Sequence, residues 1–375
     1  MIEMQDEVFS ETETLKKESE SPLPPLYAKW ADELLGGAIP QETAVDCAKC
    51  VRLAKDRALP LPDSNSFHPR VKCCTYYPSI PNYLAGRILS DPSMPALPVI
   101  TARIEDGFGI TPLHMIIPPV NRLLYSEGAN VFGRTETLRC PYYMIDAGCC
   151  GVWKYRYSVC ATWFCKYRRG SVSYDFWKSM LEYFALIEEA VSLWCAGKLD
   201  LGLDALELSS MTGTALKNGP LEYDMRVDPR AQKKIWGNWF GKEKEYFIKC
   251  GELVENLSWN DIEEIGGIKL ATSGRIVKKY YAKLLEYTLP ERLKLGSVNV
   301  VEVKAGYYVI STYSGYDRIE VPGPVFEALR YFDGGPVKET MARIKEEQDI
   351  SFDDSLLHML VDFNLLVSAD ETCNA

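Results

Sequence analysis

Apolar residues recur at helical spacing over much of this chain. In residues 173–196 the positions Phe176, Met180, Tyr183, Phe184, Ile187, Val191 and Trp194 fall on one face, the clearest helix signal in the sequence. Residues 228–286 continue the pattern, with Trp236, Trp239, Phe240, Tyr246, Phe247, Cys250, Leu253 and Leu257 in a stripe up to Ser258. Such an aromatic stripe reads as core rather than as a cofactor box. A further helix is expected over residues 268–287, with Lys278, Lys279, Lys283 and Glu286 on a solvated face. Nearer the start, a short helix over 26–35 follows Pro24-Pro25 and ends at Gly36-Gly37. Another opens near Asn82 with Tyr83, Leu84, Ile88 and Leu89 on one side. Residues 97–137 alternate poorly, and Asp106-Gly107-Phe108-Gly109 reads as a tight turn.

The pattern changes after Gly296. Residues 298–303 and 307–312 alternate as two strands of a hairpin turning at Ala305-Gly306. Three short helices are expected over 324–332, 336–347 and 352–363, the first two separated by Gly334-Gly335-Pro336. Ser351 with Asp354 resembles a capping box before the third, and Leu365-Leu366-Val367 closes the segment as a strand. The expected fold is therefore mainly α with an irregular cysteine-rich metal-binding domain, joined to an α+β, winged-helix-like C-terminal domain. The expected boundaries are a disordered acidic tail over 1–21, a cysteine-cluster domain with a helical extension over 22–288, and the C-terminal domain over 297–368.

Twelve cysteines alter this picture. Cys47 and Cys50 form a CxxC, Cys73 and Cys74 are adjacent, and Cys140, Cys149, Cys150, Cys160 and Cys165 fall within one stretch rich in aromatics (Tyr142, Tyr143, Trp153, Tyr155, Tyr157, Trp163 and Phe164). These nine thiols exceed the four that close one tetrahedral zinc site. A disulfide framework belongs to small secreted scaffolds, whereas a 375-residue chain can bury a core without staples, and its acidic N-terminus has no apolar signal region. A reducing cytoplasm is expected. Cys195 and Cys250 lie outside the pattern and read as buried apolar residues. His68, in a Pro- and Asp-rich loop between the thiol pairs, could complete a zinc site, although His-Pro in a loop is more often exposed.

With Cys150 as reference, Trp153, Arg156 and Cys160 follow at +3, +6 and +10, and Cys165 comes five later. This spacing, after a CxxC and a CC pair, resembles the YkgJ-like cysteine-cluster proteins described as zinc- or iron-chelating. Two departures are visible: Arg156-Tyr157 stands where the family has Arg-Pro, and a long gap, 51–72, separates the CxxC from the CC pair. The resemblance implies a bound metal at these cysteines and covers about a third of the chain, from Cys47 to Cys165. Adjacent cysteines suit a polynuclear cluster better than one tetrahedral ion, so iron–sulfur is favoured over zinc. Flagellin lysine methylases also look similar in carrying such a cluster. That likeness implies S-adenosylmethionine as a possible cofactor, with Arg156, Arg168 and Arg169 as candidate cofactor-binding residues. Lys166, Arg168 and Arg169 would also offset thiolate charge, or form a solvated basic turn.

The C-terminal segment is similar to peptide-binding modules of the PqqD type, which implies a peptide or protein partner. A winged helix usually suggests DNA. Here residues 297–375 hold six Lys/Arg against fourteen Asp/Glu, and the chain's formal charge is −10, so nucleic acid is not expected. No apolar run approaches a membrane span, and no membrane partner is expected. Three functions stay open: a metal-cluster protein with redox or protein-modifying chemistry, a zinc-stapled binding module without catalysis, and a protein lysine methylase.

Overall fold

The computed structural model describes residues 21–42, 50, 52–53, 66–128, 130–202, 205 and 229–370. The chain is mainly helical, with small antiparallel sheets. Helix α1 (Pro25–Leu35) starts on a proline that fits the first turn and stops at Gly36, whose left-handed backbone (φ 61°) returns its N–H to Asp32 O. Strand β1 (Ile80–Pro81) leads directly into α2 (Asn82–Leu89) and pairs with β2 (His114–Met115). Between them lies α3 (Leu97–Glu105), and after β2 comes α4 (Pro119–Glu127). Both helices fall where alternation is poor, because each carries a proline in its first turn and has too few turns to display a period. The tight turn at 106–109 is present, with Gly107 and Gly109 both at positive φ.

Strands β3 (Tyr143–Met144) and β4 (Cys149–Cys150) form a two-residue ladder, followed by the one-turn α5 (Ser158–Thr162). Helix α6 (Gly170–Lys198) then runs through the middle of the main core. Its Phe176, Trp177, Met180, Phe184 and Ile187 are fully buried, each contributing about 1.5–3 kcal/mol relative to exposure. Next come α7 (Pro229–Trp236), α8 (Glu243–Glu255) and α9 (Trp259–Leu285). The last starts nine residues before the expected 268. Ser258 and Asp261 form a capping box at its entry, and the helix passes through a break at Gly267 (φ 56°, ψ −150°) that hides the early turns from a periodicity reading. Helices α2 and α8 cross so closely that a Cβ on Gly86 would lie 1.8 Å from Phe247 O. Only glycine permits that approach. For the same reason α2 is buried on nearly every side rather than on one.

A second hydrophobic cluster gathers residues from 293 onwards, including Leu293, Ile310, Leu329, Phe332, Ile344, Leu360 and Leu366. Strand β5 (Arg292–Leu295) is followed by the meander β6 (Asn299–Lys304), β7 (Tyr307–Ser311) and β8 (Ile319–Pro322). Then come α10 (Gly323–Ala328), β9 (Asp333–Pro336), α11 (Val337–Gln348), α12 (Asp354–Asp362) and β10 (Leu366–Ser368). The expected start at 297 is too late: β5 is the centre of the sheet β10-β5-β9, and its Leu293 is fully buried in this cluster. The expected Ser351–Asp354 box is also replaced. Asp353 caps α12, accepting from Leu356 N at 2.7 Å. β6 is an edge strand with all six residues exposed, paired only to β7 in its sheet. No helix among the described residues is long and apolar enough to cross a membrane.

Candidate metal centre

Residue 72 turns the chain into the CC pair. Lys72 is held in the left-handed region (φ 52°), where a non-glycine residue costs of order 1 kcal/mol, and its Nζ donates to Gly148 O at 2.8 Å, next to Cys149. The upstream and downstream cysteine blocks then meet directly. Cys140 N donates to Cys74 O at 2.7 Å, across the whole of residues 75–139. On the far side, Arg156 donates to Cys160 O, Trp153 O and Pro22 O and lies flat against Trp153, 3.4 Å from the ring centroid.

These ties bring Cys73, Cys74, Cys140, Cys150 and Cys160 within range of one another's charge. Burial pushes the thiols of Cys140 and Cys160 up, and Cys150 adds to both. Cys73 is raised first by its hydrogen bond with Cys74 and then by burial. For Cys74 the same hydrogen bond pulls down, but burial and the charges of Cys140, Cys150 and Cys160 outweigh it. Burial raises Cys50 as well, with Cys73 adding to it. Each thiol therefore resists ionisation unless a cation is supplied. Cys149 sits on the opposite face of β4 from Cys150, since successive side chains of a strand alternate. Cys165 lies in the irregular segment between α5 and α6, its carbonyl receiving Arg52 Nη2 at 3.3 Å. Cys47 lies outside the described residues. No disulfide joins any two of the ten described cysteines, and Cys195 and Cys250 are fully buried in the core.

Two buried guanidinium groups border the thiols. Arg103 is 6% exposed and donates to Tyr142 Oη and to the carbonyls of Phe108, Gly109 and Ile116, while stacking on Tyr77. No carboxylate among the described residues forms an ion pair with it. Its charge faces Cys140. Arg52 is 8% exposed with an unpartnered Nε, and it faces Cys165, Asp317 and Cys50. Arg52 thus already has a carboxylate facing it, whereas Arg103 is a buried cation without an ion-paired counter-charge, which is costly, and four thiolates around a divalent metal would leave a net double negative charge beside it. The donor chemistry and the surrounding charge thus fit a metal–thiolate group. The geometry is open: among the described residues no group of three His, Cys, Asp or Glu side chains is set to hold one ion.

Other expected site residues stand elsewhere. His68 is buried, not exposed; its Nε2 lies 3.2 Å from Glu136 and its Nδ1 accepts from Arg70 N, so both nitrogens are engaged away from the thiols. Lys166 pairs with Asp317 at 2.8 Å, and Arg169 makes a two-pronged contact with Asp362 at 2.7 and 2.8 Å while donating to Leu284 O and Glu286 O. Those two cations lock the main core to the C-terminal unit. A cofactor carboxylate at Arg169 would have to displace that largely buried pair. Arg168 is exposed, and its backbone N–H donates to the buried Glu42. Of the aromatic wall, Tyr142, Tyr143, Tyr155, Tyr157 and Phe164 are buried, whereas Trp153 is 45% exposed.

Arg52, Arg103 and Glu188 do not stand out in the sequence as site residues. Glu188 is buried beneath α5, accepting from Ser158 N, Ser158 Oγ and Tyr27 Oη, and burial pushes its carboxyl up to about 7. It supports the N-terminus of the one-turn helix that presents Cys160, and its charge reaches that thiol. A glutamate inside the apolar stripe of α6 was the available signal, since Glu188 directly follows Ile187 and stands three positions before Val191. Comparison with protein-family models, curated proteins and solved structures finds no match to this chain.

Proposed function

We propose that this chain is a metal-cluster protein of the YkgJ-like cysteine-cluster type, working in a reducing cytoplasm. Cys50, Cys73, Cys74, Cys140, Cys150, Cys160 and Cys165 supply the thiolate donors, with Cys47 as the partner of Cys50 in its CxxC. The observation that carries this reading is the meeting of the two thiol blocks through Cys140 N and Cys74 O, beside the buried guanidinium of Arg103, which has no ion-paired carboxylate among the described residues. An iron–sulfur cluster is favoured over zinc. Thiolates on one zinc ion stand about 3.8 Å apart, given Zn–S bonds of about 2.3 Å and tetrahedral angles, whereas a polynuclear cluster takes more thiols at wider spacing. The bound group would supply redox or Lewis-acid chemistry. The chain's own part is to keep the thiols dry, charged and in place.

Metal analysis of protein purified without oxygen tests this. Iron with sulfide, and a broad visible absorption that bleaches on reduction, is the expected result; colourless protein with stoichiometric zinc would select the stapling alternative. Cys73→Ser and Cys160→Ser should lower metal content, and Cys195→Ser and Cys250→Ser should not. Full occupancy in both of the first two variants would refute the shared site.

The C-terminal unit supports a second, compatible role as a winged-helix-like, PqqD-like module for a peptide or protein partner. The observation favouring it is β6, an edge strand with Val300, Val301 and Val303 exposed and one side open in its sheet, a template for strand addition. Val301→Pro should weaken capture of such a partner with metal content unchanged; equal capture by the variant would remove β6 from the reading.

A further inference from the structure

We infer that Asp317, in the loop between β7 and β8, is a positioning residue for Cys165, and that through it the C-terminal unit and the thiol set are one coupled system. Cys165 sits between α5 and α6, where no helix or ladder fixes the backbone. Its place is set by neighbours. Asp317, whose side chain is 1% exposed, takes Lys166 Nζ at 2.8 Å on Oδ1 and Tyr167 N at 3.1 Å on Oδ2, so the two residues after Cys165 are both held by one carboxylate. Tyr313 Oη donates to the same Oδ2, and Lys166 Nζ also donates to Arg318 O at 2.6 Å.

Aromatic contacts repeat the arrangement. Tyr316 packs edge-on to Trp163, two residues before Cys165, and Tyr313 packs edge-on to Tyr167, two residues after it. The loop 312–318 therefore straddles the cysteine. Arg52 completes the link, with its Nη2 on Cys165 O and its charge facing both Asp317 and Cys50.

A buried carboxylate that holds three donors has one favourable arrangement, because losing any of them leaves a charge poorly matched in a dry site. If a metal binds Cys165 it favours that same arrangement, so metal occupancy and docking of the C-terminal unit raise one another by an equal factor. A partner bound to the C-terminal unit would then alter the metal end through Asp317. The coupling rests on the metal assignment proposed above, whereas the positioning of Cys165 does not.

The test is site-resolved alkylation of the full chain with iodoacetamide, read by mass spectrometry, on chelated protein and after adding back zinc(II) or iron(II) with sulfide. In Asp317→Asn, Cys165 should label on the order of tenfold faster than in the parent protein, as expected for loss of a charged hydrogen bond, while Cys73, Cys140 and Cys160 keep their rates. Added metal should protect all four in the parent and leave Cys165 exposed in the variant. Tyr313→Phe, which removes one donor and keeps the carboxylate, should give the same selective change with smaller size if Asp317→Asn fails to fold. Equal acceleration at all four cysteines would mean a general loosening and would overturn the inference, as would an unchanged Cys165 rate. Selective labelling of Cys165 with no protection by metal at any cysteine would uphold the positioning role and sink the metal assignment instead.

Discussion

Stripping the metal from protein handled without oxygen should lower its unfolding free energy by on the order of 10 kcal/mol, the scale of structural thiolate sites. That is comparable with the whole stability of an ordinary domain, about 5–15 kcal/mol, so without metal the thiol region should be folded but only marginally stable, opening far more often. The reasons lie in the surroundings of the thiols. Without a metal, Cys73, Cys140 and Cys160 are neutral, because burial and neighbouring thiols oppose their ionisation. Arg103 then stays buried without the anion that the thiolate set would provide. Cys73→Ser should act as a partial chelation. Hydrogen exchange is the measurement, with protection lost at 140–165 and retained in α6 and α9. Unchanged protection at 140–165 in chelated protein would show that packing alone holds the two blocks together.

The second large effect concerns pH. Glu188 has an ordinary carboxyl value of 4.5, and burial raises it to about 7, with the bonds from Tyr27 and Ser158 pulling partly back. Between those values the native protein binds more protons than the unfolded chain, so this group's contribution is full below 4.5 and is lost as pH rises through 7. From pH 5.5 to 7.5 the loss is about 2 kcal/mol, at about 1.4 kcal/mol per unit up to the folded value. Metal–thiolate binding tightens with pH, the opposite sign, so the difference between parent and Glu188→Gln is the quantity to measure. Denaturant titrations should find the variant gaining about 2 kcal/mol on the parent over that interval. Parallel pH profiles for the two proteins would show that Glu188 is ionised, or neutral, in both states.

What could be read from the sequence divides by range. The helix around 173–196 and the hairpin at 299–311 appear because their signals are local periods of 3.6 and 2. β5 and β9 do not, since each is four residues long and paired across some forty positions, and Arg292-Leu293-Lys294-Leu295 looks like a linker until Leu293 is seen buried. The cysteines identified themselves by type and spacing. Their electrostatic partners did not: Arg103 and Arg52 look like any surface arginine in the sequence, and the bonds that bury them come from the fold. The basic run after Cys165 misled for the same reason. Lys166 and Arg169 find Asp317 and Asp362, about 150 and 190 positions away, and no local pattern announces such pairs.

The contact between the ends of the main core sets a schedule for making the protein. Tyr281, near the end of α9, donates to Ala38 O just beyond α1, so the first described helix cannot be covered until some 240 more residues exist. At about 5–20 residues per second a ribosome needs roughly 10–50 s for that stretch. Cys73 to Cys165 are all translated by about the midpoint of this interval, before the helix that closes the core is available. A nascent chain with that many unpaired thiols is open to oxidation and wrong pairing, and early capture of a metal would shorten its exposure.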